Sequence, residues 1–524
     1  MSFFDIAYRD HLPSSRATPT LSVWLTAFLV ACILALIPVL SVKFPPVSDY
    51  VNHLARSYLI ANDGRDPALG QFYAIDWQLI PNLAMDLIVP PLAQILNIYI
   101  AGKVFLVLTM LILATGPHVI HYALYRRWSL GPLVATLFLY NGAFESGLVN
   151  YLFGIGVALF GIAAWIRLRQ APPLLRGAVS AGFIVALFLC HFSALGLYGI
   201  AVLGLELWHA RAEPGSRRHW RASLAVFALP FLIVPVLAAA GPGGNDLLNG
   251  PIEWTLYDKL RGLFFMFESQ SVSRIPDAVF AAVAIGLAFW AWRRGVVRLH
   301  PAGAIIALVG LVAFFVTPVR IMSAWGADVR QPLGYFFILI GFLDWRLPTA
   351  RARNAAVLAL LCLLVARIGV VDRAWASLRI NSAEMARSLE FVDRGSKVLV
   401  AEVDAPAYPP GHTLHYLPCS AMIERSSLCS LAFSDPDQQV LTVKPPYRSI
   451  AGGFNDDPPK LHELAVPPIH SPETPSGRIY WVNWTKTYNY LYLLSTEPGA
   501  RNPFPGVLTK IYEAPHFQLY AINK

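Results

Sequence analysis

The stretch Pro45-Pro46-Val47-Ser48-Asp49-Tyr50-Val51-Asn52-His53-Leu54-Ala55-Arg56 sets a carboxylate, an amide, an imidazole and a guanidinium close together. If Ser48 caps a helix, Asp49, Asn52, His53 and Arg56 stand at i, i+3, i+4 and i+7 and share one face, with Val51, Leu54, Tyr58 and Leu59 largely opposite. A carboxylate so placed can take the proton of an attacking hydroxyl, while the apolar side lies on a membrane. The alternative is that Asp49 only complements the helix dipole and the polar face is solvated. Arg320, Asp328 and Arg330 flank a short segment between two apolar runs. The two guanidinium groups suit a phosphate, or else they snorkel to headgroups or pair with Asp328. Glu145, at a turn, is a second acid or metal ligand, or an exposed turn residue. Asp86, in an apolar context, contacts substrate or metal, or is solvated on an interfacial helix. His191, near the end of a short helix, has a structural hydrogen bond as its competing role.

The elements that position these residues are membrane spans. Of 524 residues, 56% are hydrophobic and 14% charged, with mean hydropathy +0.51; an ordinary soluble domain has about 25% charged residues. Single spans fit Leu21 to Val42, Ala101 to Tyr122, Ala222 to Ala240, Asp277 to Trp292, Ala302 to Pro318, Pro332 to Trp345 and Ala355 to Val371. Two longer runs, Leu130 to Ile166 and Gly177 to His209, are each read as a hairpin of two short helices, which makes about eleven spans. With the N-terminus and its Arg9 and Arg16 inside, the arginine clusters at 126–127, 167–176, 211–221, 293–298 and 346–353 all fall on that same side. A span over Leu79 to Leu96 would invert every later cluster, and the run holds Asp86, Pro81, Pro90 and Pro91, so it is read as interfacial or re-entrant. The net charge of +9 is thus a topology signal, and nucleic-acid binding drops out.

Residues 1–371 therefore form the multi-span region, with an external loop at 43–100 carrying juxtamembrane helices. Residues 372–524 form a soluble external α/β domain: an amphipathic helix from Trp375 to Arg394, a strand from Lys397 to Val403, and strand-like runs at Arg478 to Trp484, Asn489 to Leu494 and Phe517 to Ile522. Cys32, Cys190 and Cys362 fall in spans as small packing residues. In an oxidising compartment Cys419 and Cys429 are expected to form a disulfide, favoured over a zinc site with His412 and His415. Gly154, Gly156 and Gly161 read as close helix packing. No Walker A, HExxH, CxxC or nucleophile-elbow pattern is present, so energy comes from an activated donor rather than ATP.

An acidic residue just past the first span, starting an amphipathic juxtamembrane helix in a chain of many spans with a C-terminal outer domain, resembles the GT-C superfamily of membrane glycosyltransferases. Tyr50 stands where several members carry a second acid after the first. Phe144-Glu145-Ser146-Gly147-Leu148-Val149-Asn150-Tyr151 and His191 also look like sequences in a poorly characterised bacterial branch. The resemblance implies an inverting transfer of a sugar from a polyprenyl-phosphate carrier to a glycan or lipid acceptor at the external face of the bacterial inner membrane. It makes Asp49 the general base, and Asn52, His53, Arg56, Glu145, His191, Arg320, Asp328 and Arg330 the candidates for binding substrate and donor. Metal use stays open, with Asp49, Asp86 and Glu145 the acids a divalent cation would gather. The other readings are a transporter or flippase for a lipid-linked envelope glycan, and a non-catalytic assembly component.

Overall fold

The computed structural model describes residues 19–524 apart from 213–216, 242–251, 270–273, 322–323, 406–411, 436–437, 454–455, 472–473 and 475. Arg9 and Arg16, and part of the loop from Gly241 to Pro276, lie outside the described residues. The helices are α1 (Leu21–Ser41), α2 (Tyr50–Ala61), α3 (Ala84–Leu92), α4 (Ile98–Tyr125), α5 (Val149–Arg167), α6 (Pro173–Cys190), α7 (Phe192–Ala212), α8 (Arg217–Phe231), α9 (Ile233–Ala240), α10 (Leu256–Phe264), α11 (Ile275–Arg293), α12 (Pro301–Val316), α13 (Gln331–Gly341) and α14 (Ala350–Ser388). Among the described residues eight helical stretches are long and apolar enough to cross a membrane, and α12 and α13 are shorter apolar helices. The chain is a multi-pass membrane protein.

The expected first arm of the Leu130 to Ile166 hairpin is a 3₁₀ helix, Gly131–Phe138, rather than an α-helix. A 3₁₀ helix rises about 2.0 Å per residue against about 1.5 Å, so a short segment reaches further. It packs against α1, α4, α13 and α14, and this burial in protein is what makes its poorer backbone geometry tolerable at membrane depth. The run from Ala222 to Ala240 is split into α8 and α9 at Leu232; Pro235, lacking an N–H, cannot continue the ladder back to Phe231. The Leu79 to Leu96 run holds only the nine-residue α3, too short to span. Gly154 faces Ala194, Gly156 faces Ile112, and Gly161 faces Phe183 and Tyr198, each so closely that a side chain would collide. Cys32 and Cys190 are buried, but Cys362 is exposed on α14.

Helix α14 has 39 residues, so the expected boundary at Asp372 and the separate helix from Trp375 fall inside one rod. No proline interrupts the sequence between Pro348 and Pro406. The rod leads into a five-stranded mixed sheet. Its strands belong to the series β1 (Tyr73–Ile75), β2 (Lys397–Glu402), β3 (Leu428–Cys429), β4 (Leu441–Val443), β5 (Tyr490–Leu494), β6 (Leu508–Glu513) and β7 (Phe517–Ile522). The order is β6-β7-β5-β2-β3, with β2 parallel to β3 and β5 and the remaining pairs antiparallel. The run Arg478 to Trp484 is not a strand. Asn483 has φ 62°, and the indoles of Trp481 and Trp484 donate to the carbonyls of Glu463 and Leu464 at 3.2 and 3.0 Å, which pins the segment as turns. β1 pairs with β4 and so stitches the 43–100 loop to the C-terminal domain.

Candidate active site

Helix α2 begins one residue later than a Ser48 cap would have it: Asp49 is the N-cap, yet its side chain makes no capping bond. An aspartate at this position ordinarily accepts from a first-turn N–H. Here the carboxylate is left for something else, and among the described residues nothing hydrogen-bonds it. Its backbone, in contrast, is clamped. Ser48 N–H donates to the Glu145 carbonyl at 3.0 Å and Asp49 N–H to the Ser146 carbonyl at 3.2 Å. Gly147, at φ 89°, lies so close that a Cβ there would meet Asp49 N at 2.6 Å.

Arg330, the N-cap of α13, is the cation nearest in effect to Asp49. Burial raises the Asp49 carboxyl to about 7, while the Arg330 charge pulls in the opposite direction. His191 is the single extended residue between α6 and α7. Its Nδ1 accepts from Ser193 N–H at 3.1 Å, so the neutral ring carries its proton on Nε2, which stands 3.2 Å from Arg330 Nη1. Two donors thus face one another, and an anionic oxygen set between them would accept from both. Burial and the adjacent guanidinium push the imidazole well below its ordinary range, which keeps it neutral. Tyr151 donates to the Arg330 carbonyl at 2.6 Å and fixes the turn. Asp49, His191 and Arg330 all stand at helix N-termini, where the partial positive charge favours an anion.

The other candidates form the frame. Arg56 makes a two-pronged buried pair with Asp86, at 2.8 and 2.7 Å, reaches Gln439, and contacts His53 Nδ1 at 3.1 Å. Asn52 donates to the Leu431 carbonyl at 3.2 Å and accepts from Phe433 N–H at 3.3 Å, fastening α2 to the C-terminal domain. The polar face of α2 is therefore covered rather than solvated. Its apolar face packs on α4 instead of lipid, with Leu54 and Tyr50 against Gly102. Glu145 is not an exposed turn residue: it is 5% exposed, accepts from the Trp375 indole at 3.3 Å, and is raised to about 8 by burial. Asp328 pairs with the buried Lys259 at 2.8 Å, not with either arginine, and Arg320 lies 3.5 Å from Glu253. With Asp86 held by Arg56, the acids Asp49, Asp86 and Glu145 are not gathered for a cation; among the described residues no three metal-binding side chains are. Cys419 and Cys429 are joined as a disulfide, Cα to Cα 5.2 Å.

Neither a protein-family model nor a curated protein sequence matches the chain. Among solved structures, ArnT from Cupriavidus metallidurans in the apo state matches with a TM-score of 0.53 at 11% identity, over 95% of this chain and 98% of that one. The same protein bound to undecaprenyl phosphate matches with a TM-score of 0.48 at 11% identity, over 96% and 98%. The chain has the GT-C fold. In this GT-C framework, sequence reading missed Gly147, Tyr151, Lys259 and Tyr416, the last a neighbour of Asp49 from the C-terminal domain. Gly147 had a readable signal, the glycine inside Glu145-Ser146-Gly147. Lys259 and Tyr416 are brought in by tertiary packing and leave no local pattern.

Proposed function

We propose that the protein transfers a sugar from a polyprenyl-phosphate carrier to an acceptor hydroxyl at the external membrane face, with Asp49 as general base. The observation that carries this reading is the meeting of an uncommitted carboxylate, Asp49, with a guanidinium, Arg330, and an imidazole N–H, His191, at three helix N-termini of a GT-C fold. In the step, the acceptor O–H gives its proton to Asp49 as its oxygen attacks the anomeric carbon. The bond from that carbon to the phosphate oxygen breaks on the opposite face, and polyprenyl phosphate leaves with the electron pair. Arg330 and His191 donate to the oxygen on which charge develops. Arg56, His53 and Asn52 hold α2 in place rather than touching the phosphate.

The test is release of polyprenyl phosphate and sugar transfer in liposomes holding the purified chain, a set of polyprenyl-phosphate sugars and an envelope lipid extract. Arg330→Ala is expected to lower transfer by about 10²-fold or more, the loss typical of removing a donor to developing charge. Arg320→Ala, beside Glu253, is expected to stay within about twofold of wild type, since exposed ion pairs contribute little. Equal losses in the two variants reject the phosphate role of Arg330. Movement of the lipid-linked sugar across the bilayer without cleavage identifies a flippase instead. Gly147→Ala is expected to lower turnover about tenfold with normal expression, because the methyl group displaces the Asp49 backbone. Wild-type turnover in that variant rejects the clamp.

A further inference from the structure

Among the described residues, most buried tyrosines in and around the C-terminal domain have a partner for the hydroxyl, and two, Tyr50 and Tyr416, do not. Tyr73 accepts from Cys429 N–H, Tyr480 donates to Asp457, Tyr488 to Ile450, and Tyr492 pairs with Ser388. Tyr140 donates to Ala35, and the hydroxyl of Tyr50 is pressed against Gly102. Tyr416 is 8% exposed, and among the described residues its hydroxyl has no hydrogen-bond partner. The Tyr50 hydroxyl is fully enclosed and out of reach, whereas the Tyr416 hydroxyl is not fully enclosed, so a bound ligand can supply its missing partner.

The ring is firmly placed. Tyr416 is the N-cap residue of the 3₁₀ turn Leu417–Ser420, which packs on α2, and its ring meets Phe433 edge-on at 5.1 Å. Phe433 in turn meets His53 at 6.1 Å, one turn along α2 from Asp49. The charged groups that act most on the phenol are all carboxylates: Asp49, Asp457 and Asp456. Asp456 is held by Gly453 N–H and Ser476, and Asp457 faces His415, which also meets Glu402 at 3.4 Å. Asp49 is shared with Arg330, and around Tyr416 the carboxylates of Asp456, Asp457 and Glu402 outnumber the His415 imidazolium set between two of them, so the Tyr416 side is the more acidic of the two. A phosphate is repelled on the Tyr416 side and attracted on the Arg330 side.

We propose that Tyr416 hydrogen-bonds the acceptor, and that the acceptor presents an uncharged, hydroxyl-bearing group to Asp49 rather than a phosphate. This rests on the glycosyltransfer reading and adds the acceptor's chemistry and its residue. The sugar is then handed between two walls of the site, a cationic one that holds the leaving phosphate and a phenol-and-carboxylate one that holds the incoming hydroxyl. The product is a glycoside, not a glycosyl phosphate.

The test uses Tyr416→Phe, which keeps the ring and removes only the hydroxyl, in the liposome assay with an envelope extract as acceptor. Three quantities are read: affinity for undecaprenyl phosphate, release of polyprenyl phosphate to water without extract, and transfer with extract. Transfer is expected to fall tenfold or more through a raised KM for the extract, with the other two within twofold of wild type. Transfer within twofold of wild type, or a parallel loss of undecaprenyl phosphate affinity, overturns the assignment. The product is expected to survive mild acid; release of the sugar by mild acid, which cleaves glycosyl phosphates, overturns the acceptor class. Asp49→Asn run alongside separates the two claims. Transfer lost in Asp49→Asn but normal in Tyr416→Phe refutes only the acceptor site, full transfer in Asp49→Asn refutes the proposed base, and a wild-type chain that neither releases polyprenyl phosphate nor transfers sugar refutes the glycosyltransfer reading.

Discussion

Asp49→Asn is expected to lower sugar transfer by about 10²- to 10⁴-fold, the range that a positioned general base contributes. The substitution preserves volume and leaves the fold in place, because no capping bond is lost and the clamp from Glu145 and Ser146 is made by the Asp49 backbone. Undecaprenyl phosphate affinity should therefore be kept while turnover collapses, a split that an indirect folding defect cannot give. Transfer within about tenfold of wild type rejects Asp49 as the base, since that loss lies below the range for such a group.

The same residue fixes the pH dependence. A base acts only when ionised, and burial holds this carboxyl at about 7. Transfer should rise as pH increases toward 7 and level off above it, with the slope absent from the residual activity of Asp49→Asn. Removing the guanidinium in Arg330→Ala takes away the charge that pulls the Asp49 carboxyl down. The rising limb should move to higher pH in that variant, in addition to its lower plateau. A limb that stays in place separates Arg330 from Asp49 electrostatically and weakens their assignment to one site.

The parts of this arrangement legible in the sequence were those written in local pattern. Apolar run length located the eight helical stretches long and apolar enough to cross a membrane, and Pro45-Pro46 followed by Ser48-Asp49 located the start of α2 to within a residue. Local pattern says nothing about what comes from the other end of the chain. Asn52, His53 and Arg56 share the helix face that carries Asp49, but Leu431, Phe433 and Gln439 cover that face and make it a joint with the C-terminal domain. Arg320 and Arg330 look equivalent in sequence and are not: one meets Glu253, while the other meets His191 and its charge acts on Asp49. The 3₁₀ helix at Gly131–Phe138 has the composition of an α-helical span, and only its neighbours on four sides permit the different geometry. The edge strand β6 escaped notice because only Leu508 of its residues is buried, so it lacks the alternation that marks a half-buried strand.

The joint under the active helix yields the largest expected effect on stability. Arg56 and Asp86 are both essentially inaccessible and lie on α2 and α3, so their paired hydrogen bonds lock the two helices together. Arg56→Met removes the partner and leaves a carboxylate in an apolar setting, a defect that costs about 3–5 kcal/mol in buried pairs. A lower unfolding temperature in detergent is expected, with transfer reduced because α2 also carries Asp49. The penalty has a direction in pH. Burial already pushes the Asp86 carboxyl upward against the pull of Arg56, and without the guanidinium it rises further, so the unpaired group becomes neutral as pH falls and the loss shrinks. Arg56→Met combined with Asp86→Leu removes both charges and is expected to recover most of the unfolding temperature. Recovery of transfer alongside it shows that the pair acts by holding α2; recovery of stability without transfer assigns Arg56 a contact with substrate.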